Sequence, residues 1–235
     1  MNNLFSDLSS NGLEEQKDTL GGFSLLDSNV YDAKIKVAYA GRSQSGAMNV
    51  TVHADVAGRE YKETVYITNS DGNNFYYNKQ DPHKKMPLPG YSTINDLCQV
   101  CTGKSLSQME TENKTLMVYS PELQKEVPTQ VPVITELLGK AVKLGIIKEK
   151  RFKTQKTDNG YVDTDEVREA NVINKVFNAV SGQTAYEIAH DLKEAPLFID
   201  KWLEKNKGII SDRTKGKKPA IAAAPKQEPR KSLFA

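Results

Sequence analysis

Long apolar runs, cysteines and histidines are all scarce in this sequence of 235 residues. It has no stretch of 18 consecutive apolar residues, so no membrane-spanning helix and no membrane partner are predicted. Two cysteines, Cys98 and Cys101, cannot cross-link a chain of this length, which favours a fold held by burial in a reducing compartment. The first residues are polar and acidic and lack a basic segment followed by an apolar run, so no signal peptide is expected.

The sequence also offers little on which catalysis could rest. Its three histidines are scattered, and no carboxylates are paired within an apolar run. The residues Gly103-Lys104-Ser105 resemble the end of a phosphate-binding loop, but Cys98 occupies the position where that loop needs its first glycine. Cys98 and Cys101 lack the second ligand pair of a zinc site, so two buried residues on one helix face are favoured over metal ligands. The sequence therefore predicts no enzyme, no cofactor, no metal and no small-molecule substrate.

The charges are nearly balanced, with a formal net charge of +2, but they are unevenly distributed. Residues 23–157 are mildly basic, residues 158–210 are acidic, and residues 211–235 are strongly basic for their length. Such variation is common on solvated surfaces, and it is equally consistent with a basic domain followed by an acidic module and a cationic tail. The middle block is the only large part of the chain that would attract a polyanion.

Apolar and polar residues alternate in three consecutive segments, 30–39, 48–56 and 59–67. This period of two predicts three half-buried strands, and short glycine-containing turns between them predict a meander. The segment 92–103 then predicts a short helix that Ser92 or Thr93 caps and Gly103 ends. Strand patterns return at 114–119, 127–134 and 141–152. This order predicts a mainly β protein with an OB-fold-like, five-stranded Greek-key barrel, although other small barrels share it.

The remaining segments complete a four-part organisation. Residues 1–22 are predicted to be a flexible arm, and residues 23–157 an OB-fold-like nucleic-acid-binding domain. Residues 158–210 are predicted to be a helical module, because apolar residues from Val167 to Val180 keep helical spacing and a second helical pattern follows Thr184. Residues 211–235 carry charge, alanine and proline without a packing pattern, which predicts a disordered basic tail.

Aromatic rings interleaved with lysines are the residues most suggestive of a binding function. Proteins that bind single strands combine a cationic groove for the phosphates with rings on which bases stack. The candidates lie on the polar faces of the predicted strands, in the turn after the first strand and in the irregular segment 69–91: Lys34, Lys36, Arg42, Lys62, Tyr66, Phe75, Tyr76, Tyr77, Lys79, Lys84, Lys85 and Tyr91. Alternatively, residues 75–77 form a strand with at least one ring buried. A second basic-aromatic cluster consists of Lys150, Arg151 and Phe152, which could equally be a solvated strand end.

Three segments of the sequence resemble the single-stranded DNA-binding proteins of tailed bacteriophages, of the N4-like type. They are YDAKIKVAYAG, VTVHADVAGREYKETVYITNSDGNNFYYNK and LPGYSTINDLCQVCTGKSL, and the resemblance covers residues 23–152. It implies an OB-fold and a non-catalytic protein that coats single-stranded DNA during replication or recombination. It also implies a location in the cytoplasm of the infected bacterial host.

Such proteins commonly recruit replication or recombination proteins through a flexible C-terminal tail. Here the tail is basic rather than acidic, and Leu233 and Phe234 near its end are the candidate residues for docking a partner, unless they are incidental. The alternative to DNA binding is a non-enzymatic replication or transcription adaptor. Such an adaptor would bind protein partners through the helical module and this tail.

Overall fold

A computed structural model of the protein describes Gly12 and residues 24–120, 123–157 and 160–216. The predicted arm at 1–22, apart from Gly12, lies outside the described residues. Most of the predicted tail, including Leu233 and Phe234, also lies outside them.

The predicted meander is confirmed, and it consists of β1 (Asn29–Arg42), β2 (Met48–Val56) and β3 (Arg59–Tyr66). β1 pairs with β2 and β2 with β3, all antiparallel. A β-bulge between Ile35 and Val37 leaves Lys36 without a direct partner on β2. On the inner face of β2, Val50, Val52 and Ala54 are fully buried, as the alternating pattern requires.

Residues 69–91, expected to be irregular, contain a small ribbon and the start of a helix. The ribbon pairs β4 (Phe75–Tyr77) with β5 (Lys85–Pro87), separately from the main sheet. The helix α1 (Pro89–Thr102) ends at Gly103, which adopts the left-handed conformation with φ 77°. The prediction that Ser92 or Thr93 caps α1 was wrong, because the helix begins at Pro89, whose fixed φ suits a first turn.

Two hairpins follow α1. The first pairs β6 (Thr111–Ser120) with β7 (Lys125–Ile134), and the second pairs β8 (Ala141–Thr157) with β9 (Gly160–Asn178). Both join the meander through β1, since β8 pairs with residues 29–34 and Val133 of β7 pairs with Tyr39. The chain then forms the helices α2 (Ala185–Ala189) and α3 (Phe198–Asn206) and the strand β10 (Ile210–Asp212), which runs parallel to β8.

The expected mainly β architecture is confirmed, with one large, mostly antiparallel sheet and few helices. The described residues contain ten strands rather than five, and eight of them belong to the large sheet. None of the described helices has the length and apolar character needed to cross a membrane.

The prediction of a helix between Val167 and Val180 was wrong, because this segment belongs to β9 and the turn that follows it. A bulge pairs Ile146 with Ile173 and Gly145 with Lys175, so that the apolar residues of β9 no longer alternate regularly. The strand is also buried on both faces near its end, where Phe177 packs under Trp202 of α3. The helical pattern predicted after Thr184 is confirmed and consists of two short helices, α2 and α3, but residues 211 and 212 of the predicted tail belong to β10.

The main hydrophobic core lies between the sheet and α1. The buried face of α1 carries Ile94, Leu97 and Cys98, with Cys101 half-buried beside them. Burial raises the pKa of the Cys98 thiol to about 12 and that of Cys101 to about 11, so both stay protonated at neutral pH. A smaller cluster joins Ile147, Phe177 and Trp202 beneath α3.

One half-buried carboxyl group, that of Glu63, links β3 to β9. In the described residues, β3 has backbone pairing only with β2, and β9 only with β8. Across the gap, Glu63 Oε2 accepts a hydrogen bond from the backbone N–H of Ile173 at 2.7 Å and another from the Tyr61 hydroxyl at 2.7 Å. Because β9 pairs only with β8 among the described residues, this N–H has no strand partner across the gap, and Glu63 supplies its acceptor. Burial raises the pKa of Glu63, opposed by the two hydrogen bonds and the charge of Arg151.

Candidate nucleic-acid interface

The surface of the meander opposite the core carries several of the predicted binding residues. The register places Lys34 beside Asp55, Lys62 beside His53 and Tyr66 beside Asn49. Neighbouring side chains on this side of β2 and β3 also contact each other, as in the Thr51–Thr64 hydroxyl pair at 2.9 Å. We define the outer face by Lys34, Lys36, His53, Lys62, Thr64 and Tyr66.

His53, in the middle strand of the outer face, is uncharged because of its surroundings. Its ring lies 5.8 Å from the ring of Tyr39, and its Nε2 atom is buried without a hydrogen-bond partner among the described residues. Burial lowers the pKa of His53, and the charges of Lys62 and Lys36 lower it further, against Glu60. His53 is therefore neutral at neutral pH, and the cations of the face are its lysines, which share it with Asp55 and Glu60.

The β6–β7 hairpin crosses over part of the outer face. It joins the sheet beside β1, where Tyr39 packs against Val131 and Val133. Near the turn of the hairpin, Glu126 Oε1 lies 3.8 Å from Lys62 Nζ on β3. The hairpin therefore reaches from β1 to the Lys62 side chain of β3 on the outer face. The sequence predicted these two strands but gave no indication that they cover the face.

The β4–β5 ribbon presents two exposed tyrosines. Tyr76 is 48% exposed and Tyr77 is 56% exposed, whereas Phe75 is half-buried. The Lys85 ammonium lies 4.2 Å from the centre of the Phe75 ring. The Phe75 and Tyr77 rings form a T-shaped pair with 5.5 Å between their centres. Alternation along the strand directs Tyr76 to the opposite side from Tyr77, so the ribbon exposes one tyrosine on each side.

The ribbon and Tyr66 lie at the same end of the meander. The first turn of α1 packs directly on the end of β3, because a Cβ atom at Gly90 would lie only 2.0 Å from the Tyr66 carbonyl oxygen. The ribbon is tied to this turn by a hydrogen bond from the Leu88 N–H to the Asn74 carbonyl at 2.9 Å. Only glycine allows this close approach, which fixes Tyr66, 53% exposed, beside the ribbon.

The other predicted residues divide into three groups. Arg42, exposed and donating to the Gly46 carbonyl, pairs with Met48 at the Tyr66 end of β2. Lys79, Lys84 and Lys85 are exposed on the ribbon and its connecting loop. Tyr91 is partly buried against the core, so less of its ring is open to a ligand than the sequence suggested.

The second predicted cluster, Lys150, Arg151 and Phe152, lies on the β8–β9 hairpin and not on the meander. Arg151 is nevertheless near enough to β3 for its charge to lower the pKa of Glu63. Arg151 and Phe152 line a polar cavity of about 490 Å³ together with Arg168 and Arg213. The sequence missed both arginines, because one belonged to a predicted helix and the other to a predicted tail.

The described residues contain no group of histidine, cysteine, aspartate and glutamate side chains that could hold a metal ion. No protein-family model matches the chain, and no curated protein is significantly similar to it.

Proposed function

We propose that the protein binds single-stranded DNA without sequence preference and coats it during replication or recombination. The observation that carries this proposal is that three exposed tyrosines, Tyr66, Tyr76 and Tyr77, lie at one end of the meander whose outer face carries lysines, with Tyr76 and Tyr77 on opposite sides of the ribbon. Exposed rings beside cations suit a strand whose bases are unpaired, since every base has a face that stacks.

The proposed mechanism separates two kinds of contact. Lys34, Lys36 and Lys62 neutralise phosphates on the outer face, while the tyrosines stack bases at its end. Each stack contributes about 1–3 kcal/mol without regard to base identity. The β6–β7 hairpin, which crosses the face, would hold the strand against the sheet. No step in this mechanism requires catalysis.

We also propose that the sheet is an OB-like barrel. A three-stranded meander is followed by a helix that fills the core and then by further strands that pair back onto β1, as in that fold. In this proposal Glu63 takes the place of backbone pairing where the barrel would close between β3 and β9.

The lysine contribution can be tested with the double variant K36Q/K62Q. Binding releases about 0.7 counterions per neutralised phosphate of a single strand, so we expect the slope of log K against log salt to become shallower by about 1.4. Fluorescence anisotropy with labelled oligo-dT at several salt concentrations measures this slope, and duplex DNA of equal length should bind more weakly. K193Q is the control, because Lys193 is exposed between α2 and α3 and pairs with Asp191. An unchanged slope in K36Q/K62Q would exclude the outer face as the phosphate path.

A second candidate function, a protein-binding adaptor, is favoured by exposed apolar residues near α2 and α3. They are Val180, Tyr186, Ile188, Leu192 and Phe198, all at least 43% exposed. In this alternative the surface, with Leu233 and Phe234, would bind replication or recombination proteins. The same titration distinguishes the two functions, because an adaptor would show no response to oligonucleotides.

A further inference from the structure

Three arginines, two from strands and one directly after β10, line the polar cavity on the β8–β9 hairpin. Arg151 on β8 and Arg168 on β9 are direct partners in the strand register. Arg213 follows β10 and is held beside β8 by a hydrogen bond from its N–H to the Lys150 carbonyl at 2.9 Å. The cavity has a volume of about 490 Å³ and is lined by these arginines with Glu149, Phe152, Thr154 and Asp163.

The cavity is lined by more positive than negative side chains, and the Glu63 carboxyl group on β3 interacts electrostatically with Arg151 from outside it. Glu149 is mostly buried and is engaged by Arg213, with 2.9 Å between Oε2 and Nε. Among the described residues, neither Arg151 nor Arg168 has a carboxylate within 4.0 Å. The Nε atom of Arg151 is enclosed and has no hydrogen-bond partner in that part of the chain. Like charges directly opposite each other in a sheet are destabilising, and a buried donor without an acceptor is costly.

A bound anion would resolve both problems at once. The planar guanidinium presents several donors in a fixed arrangement that matches the oxygens of phosphate, and two facing guanidiniums can bind one phosphate group. Glu149 and Asp163 also line the cavity, and Glu149 is paired with Arg213, so Arg151 and Arg168 are the cations that remain for an anion.

We propose that this cavity binds a phosphate group through Arg151 and Arg168, with Arg213 as the third cation. The phosphate belongs either to the backbone of a bound DNA strand or to a free phosphate compound. The inference stands apart from the proposed function, because it rests on a different part of the sheet.

Thermal unfolding of the wild type and R168Q tests the proposal with inorganic pyrophosphate as the probe. Pyrophosphate should raise the Tm of the wild type above its value in sodium chloride of equal ionic strength, and R168Q should lose this increase. Without phosphate, R168Q should be at least as stable as the wild type, because the substitution removes a repulsive pair. K193Q, which removes one positive charge elsewhere, should keep the full increase. The proposal is overturned if pyrophosphate fails to stabilise the wild type, or if it stabilises R168Q equally.

Oligo-dT titrations of the same variants then identify the source of the phosphate. If a backbone phosphate occupies the cavity, the salt slope of R168Q should be shallower than that of the wild type by about 0.7. If the slope is unchanged while the pyrophosphate effect is lost, the ligand is a free phosphate compound. A protein that binds no oligonucleotide would refute the proposed function and leave the pyrophosphate result to decide this site.

Discussion

The triple variant Y66A/Y76A/Y77A is expected to bind oligo-dT at least about 100-fold more weakly than the wild type. Each tyrosine ring that stacks on a base contributes at least about 1 kcal/mol to binding. The loss of three such contacts therefore lowers the affinity by more than a factor of about 100. These rings are 53%, 48% and 56% exposed, so their removal should change the Tm very little. Anisotropy titrations at constant salt measure the affinity, and thermal unfolding followed by circular dichroism measures the Tm.

The matched control for this variant is Y186A. Tyr186 on α2 is 64% exposed and stacks on His190 with 4.0 Å between ring centres, far along the chain from the proposed interface. We expect Y186A to bind oligo-dT like the wild type. Equal loss of affinity in the control, or a collapse of stability in the triple variant, would show that the three tyrosines do not form a stacking platform.

The second large effect is expected for Glu63, whose carboxyl group joins β3 to β9. The variant E63A leaves the Ile173 N–H and the Tyr61 hydroxyl without their acceptor. At about 1–3 kcal/mol for each unsatisfied buried donor, the free energy of unfolding should fall by about 2–6 kcal/mol. Urea unfolding at neutral pH measures this loss. An E63A protein as stable as the wild type would mean that the carboxyl group does not hold the two strands together.

The variant E63Q separates the hydrogen bonds from the charge. A carboxamide oxygen can accept both bonds, so E63Q should keep most of the stability that E63A loses. Burial raises the pKa of Glu63 above its ordinary value of 4.5, so the folded wild type binds more protons than the unfolded chain above that pH. Wild-type stability should therefore fall, relative to E63Q, as the pH rises from 4.5 through the raised pKa. A constant difference between the two proteins from pH 4.5 to 7 would contradict this account.

Local alternation predicted the meander well, because each of its strands buries one face and exposes the other. The apolar face of α1 was also predicted, since Ile94, Leu97 and Cys98 keep helical spacing and lie in the core. In both cases the residues that decide the structure are close together in the sequence. The resulting prediction needed no knowledge of distant partners.

The parts that the sequence did not reveal depend on distant partners. The bulge in β9 and the covering of its Phe177 by α3 produce a spacing that looks helical in isolation. The crossing of the outer face by the β6–β7 hairpin depends on contacts between Tyr39 and β7 and between Lys62 and Glu126. The arginine cavity likewise forms only after β8, β9 and β10 are brought side by side.

The aromatic residues 75–77 were predicted only in part from the sequence. Its composition predicted rings beside lysines, and the sequence left open whether residues 75–77 were a loop or a strand with a buried ring. They form a strand, which puts Phe75 and Tyr77 on one side and Tyr76 on the other. Tyr76 and Tyr77 are nonetheless exposed, because the ribbon pairs only with itself among the described strands.

Photo-crosslinking with oligo-dT that carries 5-iododeoxyuridine tests the central proposal most directly, because the crosslinks form preferentially where a base lies against an aromatic ring. After digestion and mass spectrometry, we expect the crosslinked peptides to contain Tyr66, Tyr76 or Tyr77. Crosslinks confined to peptides that contain Tyr119 or Tyr186, which are equally exposed, would place the DNA elsewhere on the protein. The absence of any crosslink at saturating DNA would likewise contradict base stacking on this end of the sheet.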